Sequence, residues 1–231
     1  MTIHIGMLLY PGLTQLDLTA PFELFCRIPD AKVHLAWKDT KPVFADSGLG
    51  LLPTTALADM PQVDLLFVPG GSGQVAVLTD GEVLGFLREQ GARARYVTSV
   101  CTGALVLGAA GLLRGYRAAT HWAYMGLLPS VGAIPVDERV VVDRNRITAG
   151  GVTAGIDFGL RIVAEIAGEP AAKRAQLILE YEPSPPFRSG HPRIAEPAIV
   201  EAVKRGISES VATRAKLLQG LTGERSPPGG L

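Results

Sequence analysis

The 231-residue chain has few of the features that mark secreted, nucleic-acid-binding or membrane proteins. Its two cysteines, Cys26 and Cys101, allow at most one disulfide. Twenty-two basic residues are balanced by 22 acidic ones, so no excess of positive charge favours binding to a phosphate backbone. The longest apolar run, residues 103–113, is too short to cross a bilayer. We therefore expect no nucleic-acid partner and no membrane partner.

The N-terminus also lacks a targeting signal. Residues 1–10 (MTIHIGMLLY) run directly into a strand-like pattern, without the basic start and small-residue cleavage site of a signal peptide. This indicates a cytoplasmic protein. Because that compartment is reducing, we expect both cysteines to remain thiols.

The composition is that of a folded protein with a substantial core. Hydrophobic residues make up 47% of the chain and charged residues 19%. The length fits one large domain better than two. We predict a single α/β domain over residues 1–222 and a disordered tail over residues 223–231.

Short strand-like runs alternate with helical patterns along the chain. The strand-like runs are residues 3–9, 33–37, 63–68, 96–100, 140–143 and 146–148. The helical patterns cover residues 14–25, 82–90, 104–113, 153–167 and 196–219. This alternation predicts βαβ units and a doubly wound, mostly parallel sheet flanked by helices, with a hairpin over residues 140–148.

Cys101 occupies a position where such folds bind ligands, beyond the carboxyl end of a strand. It lies between strand 96–100 and a helix, with Gly103 two residues later, which is the arrangement of a nucleophile elbow. A helix N-terminus lowers the pKa of a cysteine, so this position predicts a thiolate near neutral pH. The alternative is a buried, inert thiol. Cys26, at the end of its helix, fits a packing role.

Two further loops reach the same edge of the sheet. The backbone N–H groups of Thr102 and Gly71 are a candidate pair of donors for negative charge on a substrate. Alternatively, Thr102 only caps its helix and Gly70-Gly71 forms an ordinary turn. Asp17 is an acid in an apolar segment; beside the thiol, burial would raise its pKa and suit it to proton transfer. Its alternative role is a helix cap or dipole partner.

Gly150 and Gly151 precede the helix predicted over residues 153–167. Glycine tolerates backbone rearrangement, so this pair is a candidate hinge that gates the site; alternatively, it only ends a strand. Among the four histidines, His121 alone follows a strand-like segment near the site, and its role stays open. No pair of histidines or acids has the spacing of metal ligands, so we expect no metal.

Several motifs together resemble one known family. Residues 99–104 (SVCTGA), 108–113 (GAAGLL) and 119–122 (ATHW) resemble the ThiJ/PfpI family of the class I glutamine amidotransferase-like superfamily. Pro69-Gly70-Gly71 and residues 16–21 (LDLTAP) match it as well. The resemblance covers roughly residues 3–190 and implies a flavodoxin-like fold.

Two positions indicate a subgroup of this family. Many relatives have histidine directly after the cysteine and glutamate at the position of Asp17. The combination of Asp17 with Cys101-Thr102, Gly150-Gly151 and residues 180–187 (EYEPSPPF) is similar to the isonitrile hydratases. The resemblance implies a hydro-lyase that converts a small-molecule isonitrile to a formamide through a thioimidate on Cys101. It also implies catalytic roles for Cys101, Asp17 and Thr102, no cofactor, and a homodimer.

Two other functions compete with this interpretation. The ligand-sensing domains of AraC-type regulators share the Cys-Thr-Gly-Ala and Thr-His-Trp runs. About 40 residues of mixed charge follow Gly190, however, which is too few for two helix-turn-helix motifs. A glyoxalase- or deglycase-like stress protein is the second alternative. Aspartate rather than glutamate at position 17, together with Thr102, favours the hydratase over it.

Overall fold

A computed structural model describes residues 2–223 of the chain. The strands are β1 (Ile3–Leu8), β2 (Ala31–Trp37), β3 (Val43–Phe44), β4 (Gly50–Leu51), β5 (Thr55–Ala56), β6 (Leu65–Val68), β7 (Tyr96–Val100), β8 (Arg117–Ala118), β9 (Ile134–Pro135), β10 (Val140–Asp143) and β11 (Arg146–Ala149). The α-helices are α1 (Gln15–Phe25), α2 (Gln74–Val77), α3 (Gly81–Arg93), α4 (Gly103–Ala109), α5 (Ala154–Ala167), α6 (Glu169–Ile178) and α7 (Pro197–Gly223). Two 3₁₀ helices cover Leu57–Asp59 and Trp122–Val131.

Seven strands form the central sheet in the order β10-β11-β7-β6-β1-β2-β5. Every neighbouring pair is parallel except β10 and β11, which form the predicted hairpin. The predicted α/β fold with a mostly parallel sheet is therefore confirmed. The carboxyl ends of β1, β6, β7 and β11 meet at one edge, where the loops bearing Asp17, Gly70 and Cys101 lie.

Close packing between α1 and α5 fixes the helix that carries Asp17. A Cβ atom on Gly159 of α5 would lie 2.5 Å from Leu24 Cδ1 of α1, so any side chain there would force Leu24 to shift. The rings of Phe25 on α1, Phe158 on α5 and Phe67 on β6 contact one another within the core. Aromatic contacts of this kind contribute about 0.5–1.5 kcal/mol each beyond the area they bury.

Some elements differ from the sequence prediction. Helix α4 ends at Ala109 rather than at residue 113, because Gly111 takes a left-handed conformation with φ of 82°. Helix α6 was not predicted. The single domain over residues 1–222 stays a prediction. Of the tail expected over residues 223–231, Gly223 is the last residue of α7, and residues 224–231 lie outside the described residues.

No helix within residues 2–223 combines the length and the apolar character that crossing a bilayer requires.

Candidate active site

Cys101 joins β7 to α4 in a strained conformation. Its φ is 55°, in the left-handed region that residues with a side chain rarely adopt. Its N–H donates to the carbonyl oxygens of Ala149 (3.1 Å) and Gly150 (2.9 Å), and Thr120 Oγ1 donates to its carbonyl oxygen at 2.7 Å. These three hydrogen bonds stabilise the tight strand-to-helix turn that the sequence predicted at this position.

Two glycines allow the neighbouring loops to approach this turn. A Cβ atom on Gly103 would lie 2.2 Å from the carbonyl oxygen of Val68. A Cβ atom on Gly70 would lie 2.6 Å from the Thr102 nitrogen and 2.8 Å from Asp17 Oδ2. The loop after β6 therefore packs directly against Thr102 and Asp17, and no side chain at position 70 fits beside these two residues.

Asp17 lies in the first turn of α1 and is fully buried. Its Oδ2 accepts a hydrogen bond from the Gly70 N–H at 3.0 Å, and its carboxyl interacts with the Cys101 thiol. Among the described residues, Oδ1 has no hydrogen-bond partner. Burial raises the pKa of Asp17 to about 7, although the hydrogen bonds from Cys101 and Gly70 act in the opposite direction. The carboxyl is thus poised between its two protonation states at neutral pH.

The Cys101 thiol is also buried, with 6% of its surface exposed. Burial raises the pKa of the thiol, and the negative charge of Asp17 raises it further. The expectation of a thiolate near neutral pH is therefore wrong. A helix N-terminus contributes only about 0.3–1 kcal/mol, which burial beside a carboxylate outweighs. When Asp17 is ionised, its negative charge favours the protonated form of the thiol.

Two backbone N–H groups interact with the sulfur, whereas the pair of Thr102 and Gly71 predicted from the sequence concerned charge on a substrate and stays a prediction. The two groups at the sulfur belong to Thr102 and Val152, and both lower the pKa of Cys101. The N–H of Gly71 instead donates to Thr102 Oγ1 at 3.2 Å. Val152 was missed, although the helix predicted from residue 153 implied unpaired N–H groups at its start. Gly71 contributes by holding the Thr102 hydroxyl.

A cavity of about 370 Å³ lies beside these residues. Its walls include Thr120, His121, Trp122, Gly150, Gly151 and Val152. Cys101 is not among the lining residues, but Gly150 and Val152, which contact Cys101 through their backbone groups, line the cavity. Any side chain at Gly151 would collide with His121, because its Cβ would lie 2.6 Å from His121 Cδ2.

His121 is a structural part of this cavity wall. Its Nδ1 accepts a hydrogen bond from the Ala123 N–H at 3.3 Å, at the start of the second 3₁₀ helix. Burial lowers the pKa of the imidazole. The side chain therefore remains neutral and serves as a helix cap.

The remaining candidates lie outside the site. Cys26 was expected to have a packing role, but it follows the last residue of α1 as an exposed free thiol. Glu23, a second acid on α1, is also exposed and forms an ion pair with Arg27 at 2.7 Å. Within residues 2–223, no group of three or more histidine, cysteine, aspartate or glutamate side chains has a geometry that could hold a metal ion.

The comparisons with known proteins agree with this geometry. The chain is 51% identical over 219 residues to an isonitrile hydratase from Pseudomonas putida, covering 95% of this chain and 96% of that protein. A crystal structure of a ThiJ/PfpI family protein from Pseudomonas syringae has a TM-score of 0.93 at 44% identity, covering 94% of this chain and 91% of the other.

More distant relatives include transcription factors. The HTH-type transcriptional regulator GbdR of Pseudomonas aeruginosa is 29% identical over 186 residues, which cover 77% of this chain and 50% of the regulator. The sequence model of the DJ-1/PfpI family matches residues 4–165, which hold all of the residues that meet at Cys101. The chain belongs to the DJ-1/PfpI family.

Proposed function

We propose that the protein is an isonitrile hydratase, which adds water to an isonitrile, R–N≡C, and releases an N-substituted formamide. The observation that carries this proposal is the 51% identity to a hydratase over 95% of the chain. The chemistry of the site supports it, because a buried thiol and a carboxyl that titrates near neutral pH share one proton. The regulator and stress-protein alternatives lack comparable support.

The first step adds the thiol across the terminal carbon of the isonitrile. The sulfur of Cys101 forms a bond to this carbon while its proton passes to the ionised Asp17. Asp17 then delivers the proton to the same carbon, leaving a neutral thioimidate, R–N=CH–S. Because the pKa of the thiol is raised, we infer that proton transfer accompanies attack and that no thiolate accumulates. The N–H groups of Thr102 and Val152 stabilise charge that develops on the sulfur.

The second step hydrolyses the thioimidate. Asp17, ionised again, accepts a proton from water as the oxygen attacks the carbon, and this proton passes to the nitrogen. Collapse of the tetrahedral intermediate breaks the C–S bond, returns the hydroxyl proton to sulfur through Asp17 and releases the formamide. The hydroxyl of Thr102 accepts from Gly71, so its own proton is left to orient the water.

The cavity offers a route by which the hydrolytic water reaches the adduct on Cys101. Gly150 and Val152 line the cavity and also contact Cys101, so a displacement of residues 150–152 would admit this water. Gly150 has room for such a change, because a Cβ atom there would meet only carbonyl oxygens at 3.8 Å. We propose that Gly150 and Gly151 form the hinge, with Gly150 the adjustable residue.

The rate is expected to depend on the ionisation of Asp17. Because the ionised carboxylate must accept the thiol proton, kcat/KM should rise with pH through about 7 and then level off. A rate profile measured from pH 5 to 9 with one isonitrile checks this. A rate that falls as pH rises from 6 to 8 would contradict it.

The hinge is tested by Gly150→Thr. A β-branched residue stiffens the backbone and restricts the entry of the hydrolytic water. Breakdown of the Cys101 adduct needs this water and should therefore slow more than formation of the adduct. Rapid mixing with isonitrile, acid quench and mass spectrometry follow the adduct in both proteins. Unchanged breakdown, or slowed formation alone, would remove the hinge and leave the chemistry of Cys101 and Asp17 intact.

The function itself is tested by incubating the protein with a simple alkyl or aryl isonitrile and measuring formamide. Methylglyoxal consumption and a mobility shift with genomic DNA are the parallel assays. Formamide production without either of the other activities supports the hydratase. Methylglyoxal turnover or DNA binding without formamide would replace it with the stress-protein or regulator function.

We propose further that the enzyme acts as a homodimer in the cytoplasm. A reducing compartment keeps Cys101 as the free thiol that the mechanism needs. Size-exclusion chromatography with light scattering tests the dimer, for which a monomer mass at micromolar concentration would be the contrary result.

A further inference from the structure

Arg214 is a buried cation on α7, far in sequence from the residues of the site. Only 3% of its surface is exposed. Its Nε donates to Gln74 Oε1 at 2.7 Å, and its Nη2 donates to the carbonyl oxygens of Gly71 (3.2 Å) and Ser72 (3.5 Å). Each of these acceptors is a neutral oxygen. Burying a guanidinium on neutral acceptors is costly, so this arrangement calls for a reason.

The carbonyl oxygens that Arg214 contacts belong to the loop that supports the site. In this loop the Gly70 N–H donates to Asp17 Oδ2 and the Gly71 N–H donates to Thr102 Oγ1. Arg214 thus contacts the loop on its carbonyl oxygens, while the site uses its N–H groups. The peptide groups that make these two sets of hydrogen bonds follow one another directly in the chain, so the orientation of one set constrains the other.

The guanidinium is itself held firmly by its own helix and by the second 3₁₀ helix. Its Nη1 donates to the carbonyl oxygen of Ser210 at 3.1 Å and to Ser210 Oγ at 2.5 Å. Ser210 Oγ also bonds to the Tyr124 hydroxyl at 2.9 Å, and the Tyr124 ring lies 5.1 Å from the guanidinium. Helix α7 lies beyond residues 4–165, the part of the chain that the family model matches.

We propose that Arg214 is a positioning residue for the Cys101–Asp17 pair. By binding Gly71 and Ser72, its rigid fork of donors orients the loop so that the Gly70 N–H remains on Asp17. The rate effect of this support rests on the proposed function, whereas its effect on the thiol does not. Arg214 is not among the residues that line the cavity, so it does not reach the substrate from there.

The test compares Arg214→Met with wild type, with Arg205→Met, at an exposed position on the same helix, as the control. The first readout is the rate at which a small thiol alkylating agent modifies Cys101, measured from pH 5 to 10. Because ionised Asp17 accepts the thiol proton, the midpoint of this pH profile follows the pKa of Asp17. Weakening the hydrogen bond from the Gly70 N–H to the ionised Asp17 should move this midpoint upward by about one unit. The second readout is hydration, for which kcat should fall on the order of 10-fold with little change in KM.

Lysine tests whether charge alone is enough. A single ammonium cannot reach Gln74, Gly71 and Ser210 in the geometry of the fork, so Arg214→Lys should show most of the shift. Full recovery in Arg214→Lys would overturn the positioning role, as would an unchanged midpoint in a folded Arg214→Met protein. Should Arg214→Met fail to fold, Ser210→Ala decides, with a smaller upward shift expected and no shift counting against the proposal.

The two proposals fail separately. Alkylation of Cys101 requires no isonitrile, so a wild-type protein that makes no formamide would reject the hydratase and still leave the midpoint measurable. Conversely, formamide production with identical midpoints in wild type and Arg214→Met would reject only the role of Arg214.

Discussion

Cys101→Ala is expected to reduce isonitrile hydration by on the order of 10⁴-fold or more, because no other group replaces the sulfur that forms the thioimidate. Folding should be almost unchanged, since alanine fits the space of the buried thiol and takes the same left-handed φ of 55° at a similar cost. Steady-state kinetics and thermal unfolding measure the two effects.

Cys26→Ala is the matched control. Cys26 is exposed at the end of α1, so its replacement should leave the rate within about twofold of wild type. If the Cys101→Ala protein kept a tenth of the wild-type activity, the covalent mechanism would be wrong. A large loss of activity in Cys26→Ala would instead show that Cys26, and not Cys101 alone, carries a reactive thiol.

Asp17→Asn is expected to lower the hydration rate by roughly 10²- to 10⁴-fold, the usual contribution of a positioned acid–base group. The amide retains an oxygen for the Gly70 N–H but neither accepts the thiol proton nor returns it. The rise in rate through pH 7 should disappear with the carboxyl. Asp17→Glu keeps the acid but displaces it, and a displacement near 1 Å costs on the order of 100-fold.

Stability separates a catalytic loss from a structural one in Asp17→Asn. The pKa of Asp17 is about 7 in the folded protein, against about 3.9 in an unfolded chain. At Asp17 the folded state therefore binds more protons between these values, so the contribution of Asp17 to the free energy of unfolding falls as pH rises from about 4 to about 7. The asparagine variant has no charge to bury, so at pH 8 its unfolding temperature should be at least as high as that of wild type. A lower unfolding temperature at pH 8, with near-normal rates at permissive temperature, would make Asp17 a structural residue.

Local patterns predicted most of the fold. The apolar run at residues 65–68 is buried on both faces, because helices cover a parallel sheet on both sides, and this is why it forms a continuous hydrophobic segment. The hairpin of β10 and β11 followed from two strand-like runs separated by Arg144-Asn145. The end of α4 could not be predicted as well, since Gly111 ends it only through a conformation that the residue type permits but does not require.

The sequence by itself also determined which chemistry the site can hold. Parallel strands bring their carboxyl ends to one edge of the sheet. This edge receives both the cysteine between β7 and α4 and the acid in the first turn of the helix that follows β1. The protonation state was decided by the tertiary structure. The pKa of Cys101 depends on how many packed atoms exclude water and on the distance to Asp17, which no local pattern encodes.

The hydrogen-bond partners of the site were likewise decided only in three dimensions. Val152 and Arg214 reach the site from segments about 50 and 110 residues beyond Cys101, and neither belongs to a motif that marks its role. Sequence spacing predicts which loops converge, because strand order and direction follow from the alternation of elements. Which N–H group faces the sulfur, and which cation orients the loop, depends on backbone orientations. The packing of α5 against the sheet and of α7 against the second 3₁₀ helix determines these orientations.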